Sequence, residues 1–202
     1  VTNPGNVASF STTIPGTYTV TVTSTTNGCT ASASTTLTQD ATIPVASVVN
    51  DGQLTCAKTS ATITATPASG VTYAWTVPSG VTNPGNVASF STTIPGTYSV
   101  TVTSTANGCT ASASTTLTQD ATPPTAGVTN NGALTCAKTS AIITATPASG
   151  VTYAWTVPAG VTNPGNVASF STTVPGTYTV TVTSTTNGCT ASASTTLTQD
   201  AT

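Results

Sequence analysis

The stretch Pro95-Gly96-Thr97-Tyr98-Ser99-Val100-Thr101-Val102-Thr103-Ser104 decides the fold. It opens on a Pro-Gly turn signal. Tyr98, Val100 and Val102 then alternate with Thr97, Ser99, Thr101 and Thr103, giving one apolar face and one hydroxyl face. A period of two carried by β-branched residues predicts a half-buried strand. Asn107-Gly108 follows as a hairpin turn. Beyond it Cys109, Ala111 and Ala113 alternate with Thr110, Ser112 and Ser114. The element is a β-hairpin.

The same stretch begins again at Pro15 and at Pro175, so the chain repeats every 80 residues. Residues 1–40 read as the C-terminal half of a unit, and 41–120 and 121–202 as whole units. A chain that opens in mid-repeat is expected to be a window on a longer repetitive polymer.

Within one unit, alternation marks about seven short strands and no helical period. Pro44 to Asn50 is the first, broken at Asp51-Gly52 and continued by Leu54-Thr55-Cys56. Ala61, Ile63 and Ala65 alternate with threonines. Val71, Tyr73, Trp75 and Val77 make the strongest apolar face, and Ala88 and Phe90 lie in a further strand before the hairpin. The two whole units differ at 11 of 80 positions. Six of these are 43, 45, 47, 49, 51 and 53, every second residue, as expected where one strand face is wet. Seven alternating strands with regular turns predict an all-β chain of seven-stranded β-sandwiches. The predicted core is Val48, Leu54, Ile63, Tyr73, Trp75, Phe90, Tyr98, Val100, Val102 and Leu117. It is thin for 80 residues, and covalent staples would help it.

Charged residues make up 3% of the chain, against about 25% in ordinary globular proteins. Lys58 and Lys138 are the only cations, and Arg, His and Glu are absent. Without a basic patch there is nothing to neutralise phosphates, so nucleic acid is excluded as a partner. No run of 18 apolar residues occurs, so no membrane span is expected in this window, and any export or anchoring signal would lie outside it. The abundance of β-branched residues argues against disorder.

No catalytic or cofactor-binding site is expected. With no His, no Ser-His or Cys-His nucleophile can be built. Asp40, Asp51, Asp120 and Asp200 are spread one or two per unit, too far apart for paired acid–base work. A calcium ion at Asp120 competes with a turn-forming role for that residue, and the turn is preferred. For Lys58 and Lys138, an isopeptide bond competes with a solvated turn lysine, which is preferred. Trp75 and Tyr73 share the apolar face with Val71 and Val77, which favours core packing over a sugar platform. The hydroxyl rows Thr97-Ser99-Thr101-Thr103 and Thr62-Thr64-Thr66 suit a wet strand face, with ice or glycan binding as the competing role.

Tyr73-Ala74-Trp75 followed by Pro95 to Val102 resembles the polycystic-kidney-disease (PKD) repeat of the immunoglobulin-like class. Leu54-Thr55-Cys56 with Asn107-Gly108-Cys109-Thr110-Ala111 resembles, more narrowly, tandem repeats of giant surface adhesins of Bacteroidota, gliding-motility adhesins among them. The resemblance covers the whole chain. It implies tandem PKD-like, immunoglobulin-like sandwiches, secretion to the bacterial cell surface, and an adhesive or filamentous role. The Trp-Asp-Phe-Gly-Asp-Gly signature of PKD repeats is replaced by Trp75-Thr76-Val77-Pro78, so no calcium role carries over. The function expected is a structural extracellular rod, an adhesin stalk or surface fibre that self-associates into filaments or bundles and is not an enzyme. A glycan- or ice-binding module using the Thr-rich faces is the alternative, with a surface glycan as possible partner.

Cys29, Cys56, Cys109, Cys136 and Cys189 alternate at spacings of 27 and 53 residues. That pattern fits disulfides in an oxidising compartment, and no Cys-x-x-Cys cluster suggests zinc. In antibody-type domains the second Cys stands two residues after the corner Tyr, but here Val100 holds that place. Cys109 follows a turn at the end that receives the preceding unit, and Cys56 sits at the opposite end. The favoured pairing is therefore Cys56–Cys189 across the junction, with Cys136, Cys29 and Cys109 bonded to units outside this window. Cys56–Cys109 with Cys136–Cys189 is the alternative, and links between separate chains are a third.

Overall fold

The computed structural model describes residues 2–200; Val1, Ala201 and Thr202, the last two belonging to the unit read as 121–202, lie outside them. Residues 16–37 form one hairpin, β1 (Gly16–Thr23) with β2 (Thr30–Leu37). Eight strands follow in residues 41–120: β3 (Ser47–Asn50), β4 (Leu54–Thr55), β5 (Ala61–Thr66), β6 (Val71–Thr76), β7 (Ser89–Thr92), β8 (Gly96–Ser104), β9 (Thr110–Leu117) and β10 (Gln119–Asp120). Six more follow in residues 121–200: β11 (Gly127–Asn130), β12 (Ala141–Thr146), β13 (Val151–Thr156), β14 (Ser169–Thr172), β15 (Gly176–Ser184) and β16 (Thr190–Leu197).

Each whole unit is two antiparallel three-stranded sheets face to face. In the first unit the orders are β3-β5-β7 and β6-β8-β9; in the second they are β11-β12-β14 and β13-β15-β16. The alternation read from sequence fixes which face turns inward. Tyr98, Val100 and Val102 are buried, and their hydroxyl neighbours point out. Thr101 and Ser112 share a hydrogen bond of 2.9 Å across β8 and β9, and Thr181 and Ser192 repeat it. The drifting positions 43, 45, 47, 49, 51 and 53 are all exposed, while Val48 and Leu54 between them are buried.

The core is the residue set named above with two adjustments. Tyr73 and Phe90 are only partly buried against it, and Ala61 and Ala65 join it. Trp75 is 5% exposed, packs edge-on against Phe90 at 5.0 Å, and donates its indole N–H to the Val87 carbonyl at 2.9 Å. A buried indole needs such an acceptor. The Tyr98 hydroxyl donates to the Ile94 carbonyl at 2.6 Å and shares a hydrogen bond with Thr92. This is the corner tyrosine of immunoglobulin-like sandwiches, and Tyr178 repeats it on Val174 and Thr172.

The outer edge of β6 is closed by the loop that follows it. The Tyr73 amide donates to Asn86 Oδ1 at 2.7 Å, and Asn83 Nδ2 donates to the Trp75 carbonyl at 2.8 Å. Side-chain amides thus occupy backbone groups that would otherwise recruit a further strand.

The hairpin β1–β2 has no facing sheet, and the difference is read directly from equivalent residues. Val20 and Val22 are exposed, whereas Val100, Val102, Val180 and Val182 are buried.

Candidate functional site: the junction between units

The chain direction sets up the junction. Strand β9 runs away from the Asn107-Gly108 turn, and its continuation β10 pairs in parallel with β4, Gln119 beside Leu54 and Asp120 beside Thr55. Cys56 therefore leaves the first unit next to the residue at which the main chain leaves it. The second unit repeats this arrangement with Leu134 beside Gln199 and the Asp200 amide donating to the Leu134 carbonyl at 2.8 Å.

The other side of the junction is the β15–β16 turn, Asn187-Gly188-Cys189. The three copies of this turn show what the junction does to it. Asn27 and Cys29 are exposed, Asn107 and Cys109 are half-buried, and Asn187 and Cys189 are 5% and 2% exposed. The Asn-Gly-Cys turn is the same in all three copies, with only Ala106 differing beside it, so the neighbouring unit causes the burial. Asn187 Nδ2 donates to the Thr122 carbonyl at 2.9 Å, its Oδ1 accepts from the Cys189 amide at 3.0 Å, and its backbone carbonyl accepts from the Ala57 amide at 3.1 Å. Asn107 makes the matching bond to the Thr42 carbonyl, also at 2.9 Å.

The linker is held by its aspartate. Asp120 Oδ1 accepts from the Thr122 amide at 3.0 Å, and Asp40 does the same for Thr42 at 2.9 Å. These bonds, with help from the side chains of Asn187 and Thr122, hold the Asp120 carboxyl below its ordinary value. Asp40 is lowered in the same way, by Thr42 and then Asn107.

Gly188 lets the two units approach. Its φ is +71°, and a Cβ there would stand 2.6 Å from the Ala57 Cβ and 3.1 Å from the Ala57 nitrogen. Gly108 has nearly the same φ, +74°, and open space around it.

The bond that closes the junction joins Cys56 to Cys189, with Cα atoms 4.9 Å apart and 133 residues between them in sequence. Cys29, Cys109 and Cys136 carry free thiols. The pairing Cys56–Cys109 with Cys136–Cys189 is not formed. Strands β9 and β10 lie between the two cysteines of one unit, and ten strand residues span roughly 33 Å, far beyond the reach of a disulfide.

The remaining candidates have structural roles. Lys58 pairs with Asp51 at 3.0 Å and donates to the Asp51 carbonyl at 2.8 Å. Lys138 makes the same backbone contact with Asn131. Asp51 and Asn131 each accept a strand amide through Oδ1 at 2.9 Å, from Thr62 and Ile142 respectively. Asn131 keeps the strand-amide bond of Asp51 without its ion pair to lysine, which marks a turn role for the side chain rather than a charged one. Among the described residues, no three His, Cys, Asp or Glu side chains gather as a metal site would need, and no helix is long and apolar enough to cross a membrane.

No protein-family model matches the chain, and no curated protein matches it in sequence. Among solved structures it is similar to the three N-terminal domains of the bacteriophage RB49 highly immunogenic outer capsid protein, at 20% identity and a TM-score of 0.45, over 77% of this chain and 59% of that one. It is also similar to murine CEACAM1b, at 14% identity and a TM-score of 0.34, over 77% of this chain and 100% of that one. A third is the N-terminal eight-Ig-domain segment of Down Syndrome Cell Adhesion Molecule, at 15% identity and a TM-score of 0.31, over 93% of this chain and 27% of that one. The chain thus spans about three-fifths of the first of these structures. Its paired three-stranded sheets and corner tyrosines make it a tandem array of immunoglobulin-like β-sandwiches.

Proposed function

We propose that the chain is part of an extracellular structural rod or filament, a stalk or surface fibre that works by holding its shape. The observation that carries this reading is the two-point junction. The main chain through Asp120-Ala121-Thr122 and the Cys56–Cys189 bond connect the same two units side by side. A single linker is a swivel, whereas two adjacent connections leave one hinge axis. The hydrogen bonds from Ala57 to Asn187 and from Asn187 to Thr122 then oppose motion about that axis.

An oxidising, extracellular setting suits the disulfide. Attachment to a bacterial surface and kinship with PKD-like adhesin repeats rest on the motif resemblance around Tyr73, Trp75 and Pro95–Val102. The scarcity of charge favours lateral association of such rods, because little repulsion keeps them apart. The spacer reading is preferred to a glycan or ice surface on two counts. Trp75 and Trp155 are buried, and hydroxyls of the Thr-rich strands hydrogen-bond to one another, as in Thr101–Ser112 and Thr179–Ser194.

Small-angle scattering of the oxidised and the reduced chain tests the reading. A rod predicts one narrow distribution of inter-unit distances when oxidised and a broader one when reduced. Equal, broad distributions in both would remove it.

A further inference from the structure

We propose that the Cys56–Cys189 bond carries tension along the rod, so that load bypasses most of both sandwiches and the two whole units scarcely lengthen when oxidised. The inference rests on the rod reading and adds what the rod does under load.

Tension follows the shortest covalent route between the points that are pulled. From residue 2 to residue 200 that route runs through the β1–β2 hairpin and residues 41–55, crosses the disulfide, and continues from Cys189 to Asp200. In the first unit it consists of β3 and β4, and in the second of β16. These strands are already extended between the points where the route enters and leaves each unit. A strand rises about 3.3 Å per residue and a fully stretched chain about 3.3–3.6 Å, so little slack remains. Strands β5 to β10 of the first unit and β11 to β15 of the second lie inside the closed loop. They brace the taut strands without being pulled themselves. Without the bond, both sandwiches stand in series and lengthen by unfolding.

The free thiols extend the same logic. Cys109 and Cys136 stand 27 residues apart, joined by β9, β10, the linker and β11. In an array bonded at every junction, such 27-residue segments alternate with disulfides that each advance 133 residues. Two of these covalent tracks, offset by one unit, run side by side. Reducing one bond leaves the other track to carry load past that junction.

The test is single-molecule stretching of the whole chain held by handles at its two ends, with and without dithiothreitol. Oxidised, the fully stretched contour should be shorter by about 440–480 Å, the length of the 133 residues the bond closes off. The C56S/C189S variant should give the long contour in both buffers. A shortening of only about 175–190 Å for each 53-residue loop, or about 350–380 Å with both closed, would mean within-unit bonds and overturn the load path. So would equal contours in both buffers. Scattering on the same sample separates the two claims. A narrow inter-unit distance with a long contour sinks the load path alone, whereas a broad distance distribution sinks the rod reading.

Discussion

The Ala57 amide of one unit donates to the Asn187 carbonyl of the next across 3.1 Å. The bond ties the turn after Cys56 to the turn before Cys189, so the disulfide is seated in a backbone contact. Gly188 makes the approach possible, since a Cβ there would stand 2.6 Å from the Ala57 Cβ. Gly188→Ala and Gly108→Ala both place a side chain at a left-handed φ, at about 1–2 kcal/mol each. Only the first also pushes the units apart. We expect Gly188→Ala to lower the oxidised fraction at the junction, and Gly108→Ala to leave it unchanged while lowering the melting temperature. Thiol titration of the folded protein reads the first effect and calorimetry the second.

Removing the disulfide should cost stability as well as stiffness. Closing a loop of 133 residues reduces the entropy of the unfolded chain by an amount equivalent to about 5 kcal/mol on the loop-closure model. The C56S/C189S variant should therefore melt earlier than the oxidised parent, with the loss shared by two units. Cys109→Ser should change nothing, because the Cys109 thiol is free. A C56S/C189S variant as stable as the parent would show that the bond does not constrain the unfolded chain.

Much of the fold was legible because its signal is local and periodic. Tyr98, Val100 and Val102 point inward for the reason their alternation implied, and the drift at 43–53 marked a face that is indeed wet. The junction was legible only in outline. The direction of the strands placed Cys56 and Cys109 at opposite ends of a unit. The parts played by Ala57, Asn187 and Gly188 were hidden, since Asn-Gly reads equally well as an ordinary hairpin turn. Asn27, Asn107 and Asn187 are one residue in three copies of one turn, and only the neighbour decides which is buried. Asn83 and Asn86 were hidden likewise: their bonds to the backbone of β6 join residues 8 and 13 apart through a loop with no periodic pattern.

Each unit should depend on its corner tyrosine and its tryptophan to different extents. Tyr98→Phe keeps the ring and removes the hydroxyl held by Ile94 and Thr92. Leaving buried polar partners unmet costs about 1–3 kcal/mol. Trp75→Ala empties a site that is 5% exposed, at about 3–5 kcal/mol, enough to unfold a small domain. Denaturant titration should rank the two in that order. An equal and small effect from both would mean that the apolar face of β6 does not anchor the core.

Acid should loosen the junction before it unfolds the sandwiches. Folding lowers the Asp120 carboxyl below its ordinary value, chiefly through the Thr122 amide. The unfolded chain thus binds more protons than the folded one around that value. The stability tied to this group is fully present above about pH 4 and fades as pH falls toward and through the lowered value. Asp40 shares the direction and the cause, so both linkers respond together. The cores hold no ionisable carboxyl; at the rim of the first sandwich Asp51, lowered by Lys58 and then by the Thr62 amide, shares the response, whereas the second sandwich has Asn131 in its place. Scattering between pH 5 and pH 2 should show a widening of the inter-unit distance in the reduced chain, with the strand signal in circular dichroism unchanged. Asp120→Asn removes the carboxyl and should flatten that response at the second junction. Asn can still accept the Thr122 amide through its side-chain oxygen, as Asn131 does for Ile142 in the place of Asp51. The variant junction should therefore stay formed at pH 7. An Asp120→Asn chain that widens in acid as the parent does would place the pH response elsewhere.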